Sequence, residues 1–296
     1  MHVLSFYQFK SISGDLYSAK KNIMSFCESN QMLGTTLIAK EGINGTVAGE
    51  KEAIEEFEKL LFKIGFDSLE SKPSQTDKVP FKRLKVKIKK EIVTFDNLGE
   101  FANNTGTFIS PEKWEKFIEQ EDVILVDVRN KYETSIGKFK SALDPKTDNF
   151  TEFKSFIEIQ LANKKKNKIA TYCTGGIRCE KATSYMRDLG FENIFQLKGG
   201  ILSYLNQRKE TDKTTWQGEC FVFDERTALK EQSQDGSYEL CHGCRQPITE
   251  EDKQSEKYED GVSCPLCFDS RSEEQKNSSR ERQLQINLSK SREKEN

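Results

Sequence analysis

Apolar residues recur along the first third of the chain at two periods, and the switches between them lay out a β-α-β-β-α-β order. Val3 to Phe9 is strand-like, and Leu16, Ile23 and Phe26 then share one helical face. Leu37 and Ile38 open an extended run that breaks at EGINGTVAG, where Gly42, Asn44 and Gly45 predict a hairpin turn. A second helix carries Ile54, Phe57, Leu60, Leu61 and Ile64 on one stripe. The region closes with VPFKRLKVKIKKEIVTF, where Leu84, Val86 and Ile88 alternate with Lys85, Lys87 and Lys89, giving a strand with one apolar and one cationic face. This pattern predicts a small ferredoxin-like (acylphosphatase-like) α+β sandwich over residues 1–96.

The next region changes period again. Asn97 to Thr107 is polar and reads as a linker. Ser110 and Pro111 start a helix as cap and first residue, with Trp114, Phe117 and Ile118 facing inward. Val123 to Asp127 is a buried apolar strand, and Ile169 to Tyr172 and Ile194 to Leu197 give two more. Between the last two, Ala182, Met186 and Leu189 recur at helical spacing up to Gly190, a helix terminator. Strands alternating with helices predict a parallel-sheet α/β domain over residues 108–212. Residues 213–270 form a cysteine-rich module, and 271–296 are charged and aromatic-free, expected to be disordered or an isolated helix.

Charge changes the picture only locally. The formal net charge is −2, so no global field announces a polyanion. Lys82, Arg83, Lys85, Lys87 and Lys89 crowd the closing strand, with Phe81 as a possible stacking ring. An RNA-binding face and a lysine-protected edge strand both fit them. No apolar run has membrane-spanning length, and Lys10 interrupts the N-terminus before a secretory pattern develops, so a cytoplasmic protein is expected. In that compartment the eight cysteines are expected as reduced thiols and metal ligands rather than disulfides.

The chemistry concentrates in the strand-to-helix turn between Tyr172 and Ala182. Gly175 and Gly176 let the backbone curl so that the amides of Thr174, Gly175, Gly176 and Ile177 turn inward. Cys173 then sits at a helix N-terminus beside Arg178, which predicts a thiolate nucleophile. Cys179 follows as either a resolving thiol or a packing residue. His2 and His242 are the only histidines, which argues against histidine acid–base chemistry here. Cys27 is expected in packing. Cys220 is expected in structure, with a reach to Cys173 left open.

CTGGIR resembles the active-site loop of rhodanese domains, and VILVDVRNKYE resembles the strand that opens them. The resemblance implies that Asp127 and Arg129 brace the fold near the loop; a surface salt bridge is the alternative. Where that family carries Gly-His, this chain has Gly137 and Lys138. KEGINGTVAG upstream of CTGGIRCEKA, with FVFDER downstream, is similar to the tRNA uridine hydroxylase family, rhodanese-like proteins that install 5-hydroxyuridine at the wobble position. That resemblance implies oxygen-dependent hydroxylation of a tRNA uridine, with tRNA as partner and dioxygen as co-substrate. No flavin, haem or iron motif indicates an organic or redox cofactor. Two alternatives stay open: a sulfurtransferase carrying a persulfide on Cys173, and a noncatalytic RNA-binding or zinc adaptor protein.

CHGC at Cys241 and Cys244 and CPLC at Cys264 and Cys267, 19 residues apart, have the spacing of a four-cysteine structural zinc site. Four thiolates leave no open position for substrate, so this zinc is expected to stabilise rather than catalyse.

Overall fold

The computed structural model describes residues 1–12, 14–96, 104–208 and 213–295. Its first unit runs β1 (His2–Phe9), α1 (Leu16–Ser29), β2 (Leu33–Ala39), β3 (Gly42–Gly49), α2 (Lys51–Lys63), β4 (Glu70–Gln75) and β5 (Leu84–Ile88). The five strands form one sheet in the order β4-β1-β3-β2-β5. Alternation along β1 sends Leu4 and Phe6 into a core with Ile23 and Cys27 of α1 and Phe57 and Leu61 of α2. The same alternation turns Ser5 and Tyr7 to the opposite face, which is the floor of a large cavity.

Two sequence expectations are corrected here. The β2–β3 hairpin turns at Lys40 and Glu41, because Ala39 already pairs with Gly42. Asn44 and Gly45 therefore lie within β3, and a Cβ on Gly45 would stand 2.7 Å from the Thr35 carbonyl oxygen. The basic strand, in turn, is not the fourth strand of the sandwich. That place belongs to β4, whose sequence ESKPSQ has no apolar member and is held by backbone pairing to β1. β5 is a fifth strand added parallel to β2 at the far edge, with Val86 buried and Lys87 exposed.

The second unit comprises β6 (Thr107–Ile109), α3 (Pro111–Ile118), β7 (Val123–Asp127), α4 (Lys131–Thr134), β8 (Gly137–Phe139), α5 (Phe153–Gln160), β9 (Lys168–Tyr172), α6 (Ile177–Asp188), β10 (Asn193–Leu197) and α7 (Gly200–Gln207). A four-stranded sheet in the order β6-β10-β9-β7, parallel throughout, forms its centre. Phe153, Ile157, Ala182 and Met186 pack one side, and Trp114, Ile201 and Leu205 the other. The segment expected as a linker falls largely outside the described residues, and its last member, Thr107, opens β6.

Beyond α7 the chain returns as β11 (Trp216–Gly218), antiparallel to β8, and runs through Phe221–Arg226 alongside the first unit. There Glu225 donates its amide to the Pro80 carbonyl at 3.0 Å, and Arg226 reaches Ser74 at 2.9 Å. Lys181 closes the opposite side of the same joint. Its ammonium lies 2.6 Å from Glu91 and 2.9 Å from Glu41, and is almost fully buried. The charged tail forms one helix, Glu273–Glu295, which is not isolated. Lys276 stands 3.8 Å from the Phe268 ring centroid, and Arg280 donates twice to Glu259 at 2.7 Å. No described helix is long and apolar enough to cross a membrane.

Candidate active site

Cys173 directly follows β9, and α6 starts four residues later at Ile177. Gly176 caps that helix with φ 100°, a conformation that favours glycine. Its amide thereby points back and donates to the Cys173 sulfur at 3.1 Å. The loop is also held from behind. Ile201 and Leu202 donate to the carbonyls of Cys173 and Thr174, each at 3.0 Å. This contact explains the LKGGI turn, since a Cβ on Gly200 would meet the Cys173 oxygen at 2.5 Å and the Gly176 nitrogen at 2.7 Å.

Burial alone would raise the Cys173 thiol. The Cys179 thiol, the Arg178 guanidinium and the amides of Cys179 and Gly176 outweigh it and hold the sulfur well below the usual thiol range. Cys179 moves the other way: burial and the neighbouring thiolate keep its proton on. The two sulfurs thus form one donor–acceptor pair with the charge on Cys173. Both residues are fully buried, so the sulfur lies behind its loop while Thr174, Gly175, Ile177 and Arg178 face the cavity.

Arg178 does not stand free beside the sulfur. Its guanidinium makes a bidentate pair with Glu133, at 2.5 and 2.6 Å, and Thr174 donates to the same carboxylate at 3.0 Å. Behind this pair Arg129 forks onto Asp127 at 2.9 and 2.7 Å and donates to the Gly137 carbonyl at 2.6 Å. All four members are buried, and the Arg129 guanidinium lies 5.7 Å from the Tyr172 ring. Asp127, Arg129, Glu133, Arg178 and the thiolate therefore form a chain of alternating charges. The surface-salt-bridge reading of Asp127 and Arg129 is excluded by their burial. At the place of the missing histidine, Lys138 pairs with Asp144 at 3.6 Å.

The first unit completes the site. Tyr7 donates its hydroxyl to Glu180 at 2.7 Å, and the Lys72 ammonium stands 4.9 Å from the Tyr7 ring. Burial first, then the charges of Glu70 and Cys173, push Glu180 up to about 7, against the opposing pull of Tyr7 and Lys72. Lys72 shifts down, chiefly through desolvation. Tyr7, Lys72, Glu133 and Glu180 were not singled out from sequence. Glu133 and Glu180 stand inside the quoted motifs, but Tyr7 and Lys72 lie on strands far from the loop and carry no local signal.

With Cys173 and Glu180 behind them, Tyr7, Lys72, Thr174, Gly175 and Arg178 line a cavity of about 800 Å³, within the ~300–1,000 Å³ range of small-ligand sites. The sheet of the first unit forms its floor, the Cys173 loop one wall, and Val222 to Asp224 another. Of the basic residues on and beside β5, Lys89 borders this cavity. Lys82, Arg83 and Lys85 border an adjoining one of about 540 Å³, and Lys87 is exposed and borders neither.

Cys241, Cys244, Cys264 and Cys267 converge with all four sulfurs within 4.8 Å of one another. The separations of 3.8 Å for Cys244–Cys264 and 3.9 Å for Cys264–Cys267 match the ~3.8 Å edge of a sulfur tetrahedron built on ~2.3 Å metal–sulfur bonds. The four thiols can hold a metal ion. Cys220 is buried in the Trp114 and Phe139 core, and Cys27 in that of the first unit; burial raises each thiol to about 12.

Two family models match the chain: the UPF0176 acylphosphatase like domain over residues 1–92 and the rhodanese-like domain over residues 110–207. A protein of Teredinibacter turnerae named tRNA uridine(34) hydroxylase is 46% identical over 288 residues, 97% of this chain and 89% of its own. One of the same name from Agrobacterium fabrum is 46% identical over 93% of this chain and 88% of its own.

Proposed function

The chain belongs to the tRNA uridine(34) hydroxylase family, and from that premise we propose that it converts the wobble uridine of tRNA to 5-hydroxyuridine with Cys173 as the reacting group. The observation that carries this reading is a thiolate held behind a loop whose outer face opens on a cavity of nucleotide size. Cys173 lines no part of the cavity in its buried position, so in this reading the loop turns the sulfur out toward the base. The thiolate then adds to the electron-poor C6 of uracil and shifts the electron pair of the C5–C6 double bond towards C5. One atom of dioxygen is placed on C5, and the other leaves as water with two protons and two electrons from an external donor. Loss of the C5 proton and expulsion of sulfur from C6 restore the double bond. Tyr7 lines the cavity, and its hydroxyl takes that proton as it hands its own to Glu180, to which it is hydrogen-bonded. Thr174, Gly175, Gly176 and Ile177 shape the loop, Arg178 and Cys179 keep the sulfur anionic, and Asp127 and Arg129 fix the strand behind it.

Lys82, Arg83, Lys85, Lys87 and Lys89 carry the tRNA backbone in this reading. Zinc occupies the four-cysteine module and stabilises its fold. The protein acts in the cytoplasm, where its tRNA is.

Mass spectrometry of tRNA nucleosides tests the assignment. A strain lacking the gene should lose 5-hydroxyuridine, regain it with the wild-type chain, and not regain it with Cys173→Ser. Loss of a thiolated base instead would make the protein a persulfide-carrying sulfurtransferase, and restoration by Cys173→Ser would end the covalent scheme.

A further inference from the structure

The two cavities share a wall. Phe81, Tyr132, Phe223 and Asp224 line both, so the chamber beside the Cys173 loop continues as a groove between β5 and the four-cysteine module. Two features of that groove take no chemical step in the reaction above, although the first, Phe223, stands with the Arg178 guanidinium 5.8 Å from its ring centroid. Phe223 is 64% exposed at the junction, although Phe221 packs edge-on behind it at 5.3 Å. Arg245 directly follows Cys244, exposed on the groove's wall with its backbone at φ 67°.

Charge in the groove is unbalanced in one direction. The carboxylates there are each matched: Asp224 with Arg226 at 2.7 Å, Glu225 with Lys82 at 3.0 Å and Asp148 with Lys131 at 2.6 Å. Among the described residues no carboxylate stands within ion-pair distance of Arg83, Lys85 or Arg245. The others crowd Lys85: after desolvation, the charges of Arg83, Lys87 and Arg245 all push its ammonium down. A polyanion relieves that repulsion. An exposed aromatic ring beside it supplies a base-stacking surface.

We propose that this groove receives the single-stranded nucleotides flanking the target uridine, with Arg83, Lys85 and Arg245 on their phosphates and Phe223 stacked on a neighbouring base. The assignment rests on the uridine reading and gives the metal module a role in RNA recognition. Helical RNA, whose bases are already stacked, does not present a free face to Phe223.

The test uses the full chain and a fluorescein-labelled anticodon stem-loop carrying the uridine, with anisotropy read from 50 to 250 mM salt. Arg245→Gln should weaken binding and reduce the slope of log K against log salt by about 0.7–0.9, the value for one lost phosphate contact, while Arg245→Lys retains the slope. Phe223→Ala should weaken binding about 5- to 100-fold and leave the slope unchanged. Metal content and melting of each variant identify unfolded protein, and Arg245→Lys serves as the folded reference. Wild-type affinity and slope in both Arg245→Gln and Phe223→Ala would overturn the groove, as would equal competition by an RNA duplex of the same charge. An enzyme that makes 5-hydroxyuridine yet shows those results loses the groove alone; one that binds as expected but makes none loses the uridine reading.

Discussion

Replacing Lys181 by methionine asks whether charge locks the first unit onto the catalytic helix. The ammonium contacts Glu91, Glu41 and the Val93 carbonyl at 2.6, 2.9 and 2.9 Å. Methionine fills similar space without charge, so two carboxylates are left facing a carbonyl with no cation. Breaking a buried pair this way costs about 3–5 kcal/mol. The side chain of Glu91 is 5% exposed but that of Glu41 is 14%, which sets the expectation at about 3 kcal/mol. At roughly 2–4 °C per kcal/mol, the melting midpoint at pH 8 should fall by about 6–12 °C. The pH dependence carries a second signature. In the wild type burial opposes ionisation of Glu91, but Lys181 and the amides of Phe95 and Asp96 hold its carboxyl below the ordinary range. Its contribution is therefore present above about pH 4.3 and is lost as pH falls through the lowered value. Without the ammonium, burial and the facing Glu41 dominate and the folded value rises. Stability is then lost as pH rises, so the deficit should be smaller at pH 5 than at pH 8. Adding Glu91→Gln should recover about 1 kcal/mol or more at pH 8. Calorimetric melts at the two pH values decide it: a Lys181→Met midpoint within 2 °C of the wild type at both would refute the lock.

Further expectations follow from the site and from the metal module. Arg178→Gln should raise the half-ionisation of Cys173, read from thiolate absorbance near 240 nm against Cys173→Ser, by a unit or more, about 1.4 kcal/mol; an unmoved titration would remove the guanidinium from the account. Glu180→Gln should abolish any limb of the hydroxylation pH profile near pH 7. Because the folded Glu180 carboxyl is raised, its ionisation lowers stability as pH climbs through about 7, so Glu180→Gln should melt higher relative to the wild type at pH 8 than at pH 5. Unfolding the chain in a chromogenic chelator should release about one zinc per chain and Cys264→Ser none. Metal removal should also leave the Glu273–Glu295 helix open to proteases.

What could be read from the sequence depended on how local the cause was. The Cys173 loop was legible because a glycine pair, a helix start and an arginine act over six residues. The metal module was legible because its ligands come in pairs with two residues between them. β4 was invisible because ESKPSQ owes its conformation to β1, whose pairing partner lies more than sixty residues away. The hairpin turn was misplaced because glycines that serve close strand packing, as Gly45 does, look like glycines that serve a turn. Arg178 was seen as a lone cation because its partner Glu133 stands 45 positions upstream, and Tyr7 and Lys72 join the site only through the docking of the two units.

That the reaction chamber takes its floor from residues near the N-terminus and one wall from Val222 to Asp224 has an implication for synthesis. A ribosome will have made the reactive sulfur some fifty residues before it makes the last panel of the room around it. The sulfur therefore precedes the panel that completes the seat for a base, and that seat exists only once Val222 to Asp224 has folded back against the first unit.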